Sequence, residues 1–250
     1  MDKANTMKTI SNGVKVSIII PAHNEEAHIA QTLRALLRQT HRDIEIIVVD
    51  NASTDRTADI VRMFPVKLVY EPRKGTHYAR ERGRRDAQGE IIVNLDADCL
   101  PDPEWLTKGV RYFEDVRIVG VTGPCDYHDA PAFFRKLSLF TQRHIYRYIS
   151  TILQSLSIKR GAVMFGGNAF FRRDVLQKIG GYDTSFAFYG DDTDTAKRIV
   201  KFGKIAFKND VVLKTSARRF RHQGFLKTII LYFYHFFRVV LKQPAVSKKK

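Results

Sequence analysis

Two cysteines in 250 residues, Cys99 and Cys125, form neither a metal-type cluster nor a disulfide framework, so a reducing, cytosolic setting is expected. Long apolar runs are missing too. No stretch reaches the roughly 18 to 20 uninterrupted apolar residues of a spanning helix, and Met1 to Val16 lack the apolar core of a signal peptide. Secretion and a membrane span are therefore not expected. There is no Gly-x-Ser-x-Gly, and neither cysteine has a histidine beside it, so covalent chemistry on an activated nucleophile has no support. Acidic residues are in deficit. The 26 Asp plus Glu against 42 Lys plus Arg leave a net charge of +16, which points to an anionic partner such as nucleic acid, anionic lipid or a phosphorylated small molecule. What is abundant is apolar: 44% hydrophobic content, with 17 Phe and 10 Tyr, supports a folded chain of one large α/β domain or two small ones.

After a polar leader, Val16 to Ile20 reads as a buried strand, stopped by Pro21-Ala-His-Asn-Glu25. Ile29, Leu33, Leu36 and Leu37 follow at helical spacing. Ile44 to Val49 is a second strand, followed by Asp50-Asn-Ala-Ser-Thr-Asp55 and a helix to about Met63; Val66 to Tyr70 is a third. Arg73-Lys-Gly-Thr-His77 opens a helix to about Ala87, and Ile91 to Leu95 is the next strand. Strands alternating with helices predict a parallel α/β sheet with helices on both faces, in which ligands sit beyond the carboxyl ends of the strands. Asn24 and Glu25, Asp50 and Asn51, Lys74, and Asp96 with Asp98 all fall there, though each alone is also ordinary turn chemistry.

The strand at 91–95 ends in Asp96-Ala-Asp98. In an extended chain these two carboxylates point the same way, and a hard divalent cation, Mg2+ or Mn2+, lets both stay ionised. A turn cap before Pro101 and Pro103 is the alternative for so short a motif.

Taken together, Ser17-Ile-Ile-Ile-Pro-Ala-His-Asn-Glu-Glu26, Ile46-Ile-Val-Val-Asp-Asn-Ala-Ser-Thr-Asp55, Lys74-Gly75 with Ala79-Arg80, and Asn94-Leu-Asp-Ala-Asp98 resemble the family 2 glycosyltransferases. Gly166-Gly-Asn-Ala-Phe-Phe-Arg-Arg173, Ile179-Gly-Gly-Tyr-Asp183 and Tyr189-Gly-Asp-Asp-Thr-Asp194 extend the resemblance, which covers roughly residues 16 to 210. It implies an α/β fold: a single GT-A, Rossmann-like domain with a mostly parallel central sheet flanked by helices. It also implies a nucleotide-diphosphate sugar donor (UDP- or GDP-sugar). Pro21, Ala22, Asn24 and Glu25 then face the nucleotide, with Glu25 near the ribose and Asp50 near the base. Lys74 and Arg80 fall in the segment facing the nucleotide and diphosphate. Asp96 and Asp98 become the metal pair, Asp98 as direct ligand, with Asp96 also on the nucleotide-sugar side.

For an inverting transfer a base must take the acceptor's proton. Asp191-Asp192 is the candidate; the family more often has Glu-Asp here, so Asp192 resembles the base and Asp191 the residue that orients it. Adjacent carboxylates at a helix start also suit the helix dipole. Gly166, Gly167 and Asn168 resemble the turn lining the acceptor or sugar pocket, where small residues allow close approach. His23, His28, His77 and His222 are expected at the surface, with His222 alternatively reaching the diphosphate or metal. Arg218 and Arg219 are candidates for phosphate contact.

The positive charge is concentrated. Between Pro131 and Arg160, Phe133, Leu137, Phe140, Tyr148, Ile152 and Leu156 recur at helical spacing while Lys136, Arg143 and Arg147 gather elsewhere. Core packing and membrane contact are equally compatible with that pattern. Phe225 to Lys242 is more apolar still, broken between Ile229 and Leu241 only by His235 and Arg238, and Lys248-Lys-Lys250 follows. A C-terminal amphipathic helix lying on anionic lipid is expected.

The expected organisation is a polar leader (1–15), a catalytic domain (16–220, with a nucleotide-binding half to 100) and a basic membrane-associating tail (221–250). The expected protein is cytoplasmic and peripheral on the inner face of the cell membrane. There it serves polysaccharide or glycolipid synthesis, with a lipid-linked or saccharide acceptor and no nucleic acid partner. A nucleotidyltransferase is a weaker alternative, because the glycine-rich loop it needs after the first strand is missing. A non-catalytic basic module would leave the carboxylates at the strand ends without a purpose.

Overall fold

A computed structural model describes residues 13–155, 161–185 and 190–241. Strands β1 (Val16–Ala22), β2 (Ile44–Asp50), β3 (Lys67–Tyr70) and β4 (Ile91–Leu95) come from the first hundred residues. The sheet is completed by β6 (Ile118–Thr122), β8 (Asn168–Arg172) and β9 (Lys204–Phe207) from the second half. The seven strands lie in the order β3-β2-β1-β4-β8-β6-β9. Branched aliphatic residues suit a pleated surface, and successive side chains of one strand feed opposite faces. Ile18 and Ile20 join one core with Leu33, Trp105 and Phe113, while Ile19 joins another with Val49, Ile92 and Phe171. The first core is covered by α1 (Ile29–Leu37), α2 (Thr57–Arg62) and α4 (Trp105–Val110). The second is covered by α3 (Thr76–Asp86), α7 (Arg173–Lys178) and α8 (Asp191–Ile199).

Register determines which loops meet. β1 runs parallel to both β2 and β4, with Ile18 opposite Ile46 and Val93, so their loops emerge on one edge. β8 runs antiparallel to β4 and β6, with Leu95 opposite Asn168. The turn that enters β8, at Gly166–Gly167, is thereby set beside the residue that follows β4, Asp96. A small second sheet, β5 (Cys99–Leu100), β10 (Leu213–Thr215) and β7 (Cys125–Tyr127), stands over this edge.

The segment expected as a helix over 131–160 is α5 (Ala132–Thr141), a π-helical turn (Gln142–Tyr146) and α6 (Arg147–Ser155). No residue of α5 is buried. Helix α8 begins at Asp191, so Asp191 and Asp192 lie in its first turn. The chain continues through α9 (Arg218–Gln223) into α10 (Phe225–Leu241). Among the described residues no helix is long and apolar enough to cross a membrane. Residues 1–12, Leu156, residues 186–189 and the lysine-rich stretch from 242 lie outside the described residues.

Candidate active site

The loop after β1 turns at Asn24, whose φ of 55° is the left-handed conformation that a short polar side chain tolerates. Its carboxamide oxygen accepts from Thr54 N (2.8 Å), tying the first loop to the second. Asp50 caps its own turn, accepting from Ser53 N at 3.1 Å. Both were assigned to the nucleotide on resemblance, yet their side chains are engaged in loop structure and neither borders the cavity described below. Asn51, which the sequence placed at the same strand end without a specific role, borders it instead. Asn51 Nδ2 donates to the carbonyls of Glu71 (3.0 Å) and Arg73 (2.7 Å), and its Oδ1 accepts from Gly75 N (2.7 Å), so one side chain fixes the third loop against the second.

Asp96 and Asp98 follow β4 as expected, and each meets an arginine. The buried Arg80, from α3, bridges Asp96 (3.2 Å) and Asp191 (2.8 Å). Burial alone would lower the Arg80 guanidinium, but Asp191 and Asp96 outweigh it and hold it charged. Arg218, at the start of α9, reaches Asp98 with Nε (3.1 Å) and donates to both carboxylate oxygens of Glu25. A pairing across 193 positions leaves no local trace in a sequence. Even with Arg218 beside it, Asp98 is pushed up to about 6, first by burial and then by the charge of Asp96. Thr215 Oγ1 also donates to it, at 3.4 Å.

Asp191 and Asp192 open α8 after Gly190, whose φ of 97° lies in the left-handed region. Asp191 accepts from Arg80, while Asp192 Oδ2 accepts from Gly166 N at 3.3 Å. Burial, and then the charge of Asp191, push the Asp192 carboxyl up to about 6 despite the opposing pull of Arg80. A carboxylate held near neutrality can take a proton at physiological pH. Gly166 and Gly167 are where bulk is excluded: a Cβ on Gly167 would lie 2.3 Å from Asp96 Oδ2, and one on Gly166 2.8 Å from Arg80 Nη1.

Asn168 requires a correction. It was expected to line the acceptor or sugar pocket, but its side chain is fully buried below the turn. It accepts from Trp105 Nε1 (3.1 Å) and donates to the carbonyls of Gly123 and Val211, both at 3.0 Å. It is a brace joining α4, β6 and β10, because a β8 side chain at that register points into the core.

Pro21, Ala22, Glu25, Lys74, Arg80, Asp96, Asp98, Gly167, Asp191 and Asp192 share one cavity of about 760 Å³. Among the described residues no group of three or more His, Cys, Asp or Glu side chains is placed to hold a metal alone. Two carboxylates, one of them lifted by the other's charge, nevertheless suit a hard cation that completes its shell from substrate phosphate oxygens. His222 does not border the cavity, whereas His23 and Arg219 do.

Residues 17–180 match the family described as Glycosyl transferase family 2. The chain belongs to that family. It is 30% identical to the glycosyltransferase AglE of Haloferax volcanii over 216 residues, covering 82% of this chain and 68% of AglE. With the probable glycosyltransferase YdaM of Bacillus subtilis it shares 31% identity over 210 residues, 76% of this chain but only 47% of YdaM. Among solved structures it resembles the mannosyltransferase PcManGT of Pyrobaculum calidifontis in complex with GDP-Man and Mn2+. That TM-score is 0.67 at 26% identity, covering 97% of this chain and 69% of the other. The fold is the GT-A architecture of the family, and the protein is a family 2 glycosyltransferase.

Proposed function

We propose that the protein moves a sugar from a nucleotide-diphosphate donor, a UDP- or GDP-sugar, to an acceptor hydroxyl or phosphate, with inversion and with the help of a divalent cation, at the cytoplasmic face of a membrane. The observation that carries the reading is the convergence of Asp96, Asp98, Asp191 and Asp192 on one cavity, cross-braced by Arg80. The donor and Mn2+ bound by PcManGT support the same choice of ligands here.

In this reading Glu25 faces the nucleoside end, Asn51 shapes that end by fixing the loop that carries Lys74, and Lys74 lies alongside the diphosphate. Asp96 and Asp98 would hold the cation, whose charge, when bound, would offset that growing on the leaving diphosphate. Asp192 accepts the acceptor's hydroxyl proton as that oxygen bonds to the anomeric carbon from the opposite face, and the bond from that carbon to the diphosphate oxygen breaks. Arg80, paired with Asp191 and Asp96, keeps the two carboxylate sites in fixed relation. Arg218 occupies the space between Glu25 and Asp98 with positive charge, so donor and cation must displace or share it.

Asp192→Asn tests the assignment. Transfer should fall by about 10²–10⁴-fold, the usual scale of general-base catalysis, while nucleoside diphosphate binding is kept. Unchanged turnover would remove Asp192 from the chemistry.

The membrane part of the proposal is supported by an exposed apolar strip on α5, α6 and α10, including Phe133, Phe140, Tyr148, Leu226, Ile230 and Tyr234. A basic chain with such a strip suits the surface of an anionic bilayer.

A further inference from the structure

Both oxygens of Asp98 are engaged by the protein's own donors. Oδ2 faces Arg218 Nε at 3.1 Å, and Oδ1 accepts from Thr215 Oγ1 at 3.4 Å. The same guanidinium commits its other two nitrogens to Glu25, with Nη1 donating to Oε2 at 2.8 Å and Nη2 donating to Oε1. The planar fork of an arginine matches a carboxylate in this way, and here one fork serves two of them. The side chains of Asp98 and Glu25 are only 9% and 10% exposed. Two nearly buried carboxylates that share a site repel, so the charge between them cannot be withdrawn without a replacement.

Arg218 is not placed there by these partners alone. It opens α9, and the two residues before it are clamped by Asp129 in the loop after β7. Asp129 accepts from Ser216 Oγ (2.7 Å), from Ala217 N (2.6 Å) and, within α9, from Arg221 Nη2 (2.9 Å). Ser216 Oγ in turn accepts from Arg218 N at 3.1 Å. At its far end α9 joins α10 through Gly224, whose φ of 87° lies in the left-handed region and around which a Cβ would meet nothing within 4 Å. The segment is therefore a strap, latched at Asp129 and joined to α10 by a glycine. A cavity of about 120 Å³ bordered by Asp98, Asp129 and Ser216 lies at the latch, so the strap is not packed on a core there.

A divalent cation on Asp98 needs the oxygen that Arg218 Nε faces, and two cations side by side repel. Displacement of Arg218, not sharing, follows. We propose that Arg218 is a built-in competitor of the cation: in the donor-free protein the strap holds it as the counter-ion of Asp98 and Glu25, and only a cation arriving with a nucleoside diphosphate expels it. The diphosphate supplies oxygens that a hard cation needs to complete its shell, so the pair competes where the free ion does not. The inference rests on the assignment of Asp96 and Asp98 to a cation and adds the order in which the site fills.

Calorimetric titration of Mn2+ into the full-length chain without nucleotide tests it, with thermal melting of the same samples as a second readout. Arg218→Ala should bind Mn2+ about tenfold more tightly than the parent, as expected if the strap is open in about a tenth of parent molecules. Mn2+ alone should raise the melting temperature of Arg218→Ala and leave that of the parent nearly unchanged. Asp129→Ala removes a negative charge, which by its field alone would weaken cation binding; by freeing the strap it should instead tighten it several-fold. Arg219→Ala removes a positive charge at the next position, which borders the main cavity, and it should change Mn2+ binding little. Equal gains in the Arg218 and Arg219 variants, or no gain in Arg218→Ala or in Asp129→Ala, would overturn the proposal. Mn2+ binding by the parent in the presence of GDP or UDP is read separately. Its absence would overturn the cation reading itself, whereas its presence without a gain in Arg218→Ala would overturn only the competitor.

Discussion

At the scale of residues, the site works by setting carboxylates against a limited supply of cations. Asp98 and Asp192 are both pushed up to about 6, and in each case burial is the first cause and a neighbouring aspartate the second. A raised carboxyl is protonated below its pKa, so the base form of Asp192 is lost as pH falls through about 6. The rate under saturating donor should therefore decline on the acid side near that pH and stay flat above it. A rate that rises on acidification would contradict this. Asn168 makes the opposite prediction. Removing its carboxamide strands the buried Trp105 N–H and the Gly123 and Val211 carbonyls, each worth about 1–3 kcal/mol when unpaired. Asn168→Ala should lower unfolding free energy in urea by about 3 kcal/mol while the folded fraction keeps turnover within a few-fold. A large loss of turnover at unchanged stability would restore Asn168 to the pocket. The carboxylates were legible in the sequence because the strand end at Leu95 delivers Asp96 and Asp98 to the loop edge, although Asp98 lies in a turn rather than in extended chain. Asn168 was not, because a glycine-rich turn identifies a close approach without saying which neighbouring side chain turns inward. Arg218 was legible only as a candidate for phosphate contact, since its pairing with Glu25 and Asp98 is made through the tertiary fold.

At the scale of elements, hydrophobic periodicity located β1 to β4 and the helices between them to within a few residues. It did not give strand direction, and β8 runs antiparallel to both neighbours. That reversal is what brings Gly166 and Gly167 against Asp96 and Arg80. Amphipathic segments were less legible, because a helix covering a core and a helix covering a ligand channel share one pattern. α10 does both: Lys197 Nζ donates to the Val239 carbonyl (2.9 Å), anchoring its end to α8, while Phe233 and Phe237 border the cavity. The exposed side of α10 should carry membrane affinity. Replacing Ile230 and Tyr234 with Ser should cut co-sedimentation with phosphatidylglycerol vesicles several-fold, and raised salt should weaken the parent protein's binding by screening its cationic contribution. Undiminished sedimentation would show that this face does not meet lipid.

At the scale of the whole molecule, a net charge of +16 surrounds a cavity whose polar end is rich in carboxylates. The excess charge attracts anionic partners, and on the proposed reading the carboxylates are met by a cation that accompanies the anionic donor. Donor and cation binding should therefore be strongly coupled. The direct measurement is calorimetric titration of nucleoside diphosphate, GDP and UDP in turn, into the protein with and without Mn2+, repeated on Asp98→Ala. Mn2+ should tighten binding of one nucleotide at least tenfold in the parent protein and leave Asp98→Ala unaffected. Equal enhancement in the variant, or none in the parent, would contradict the assignment of Asp96 and Asp98 to a metal-held diphosphate.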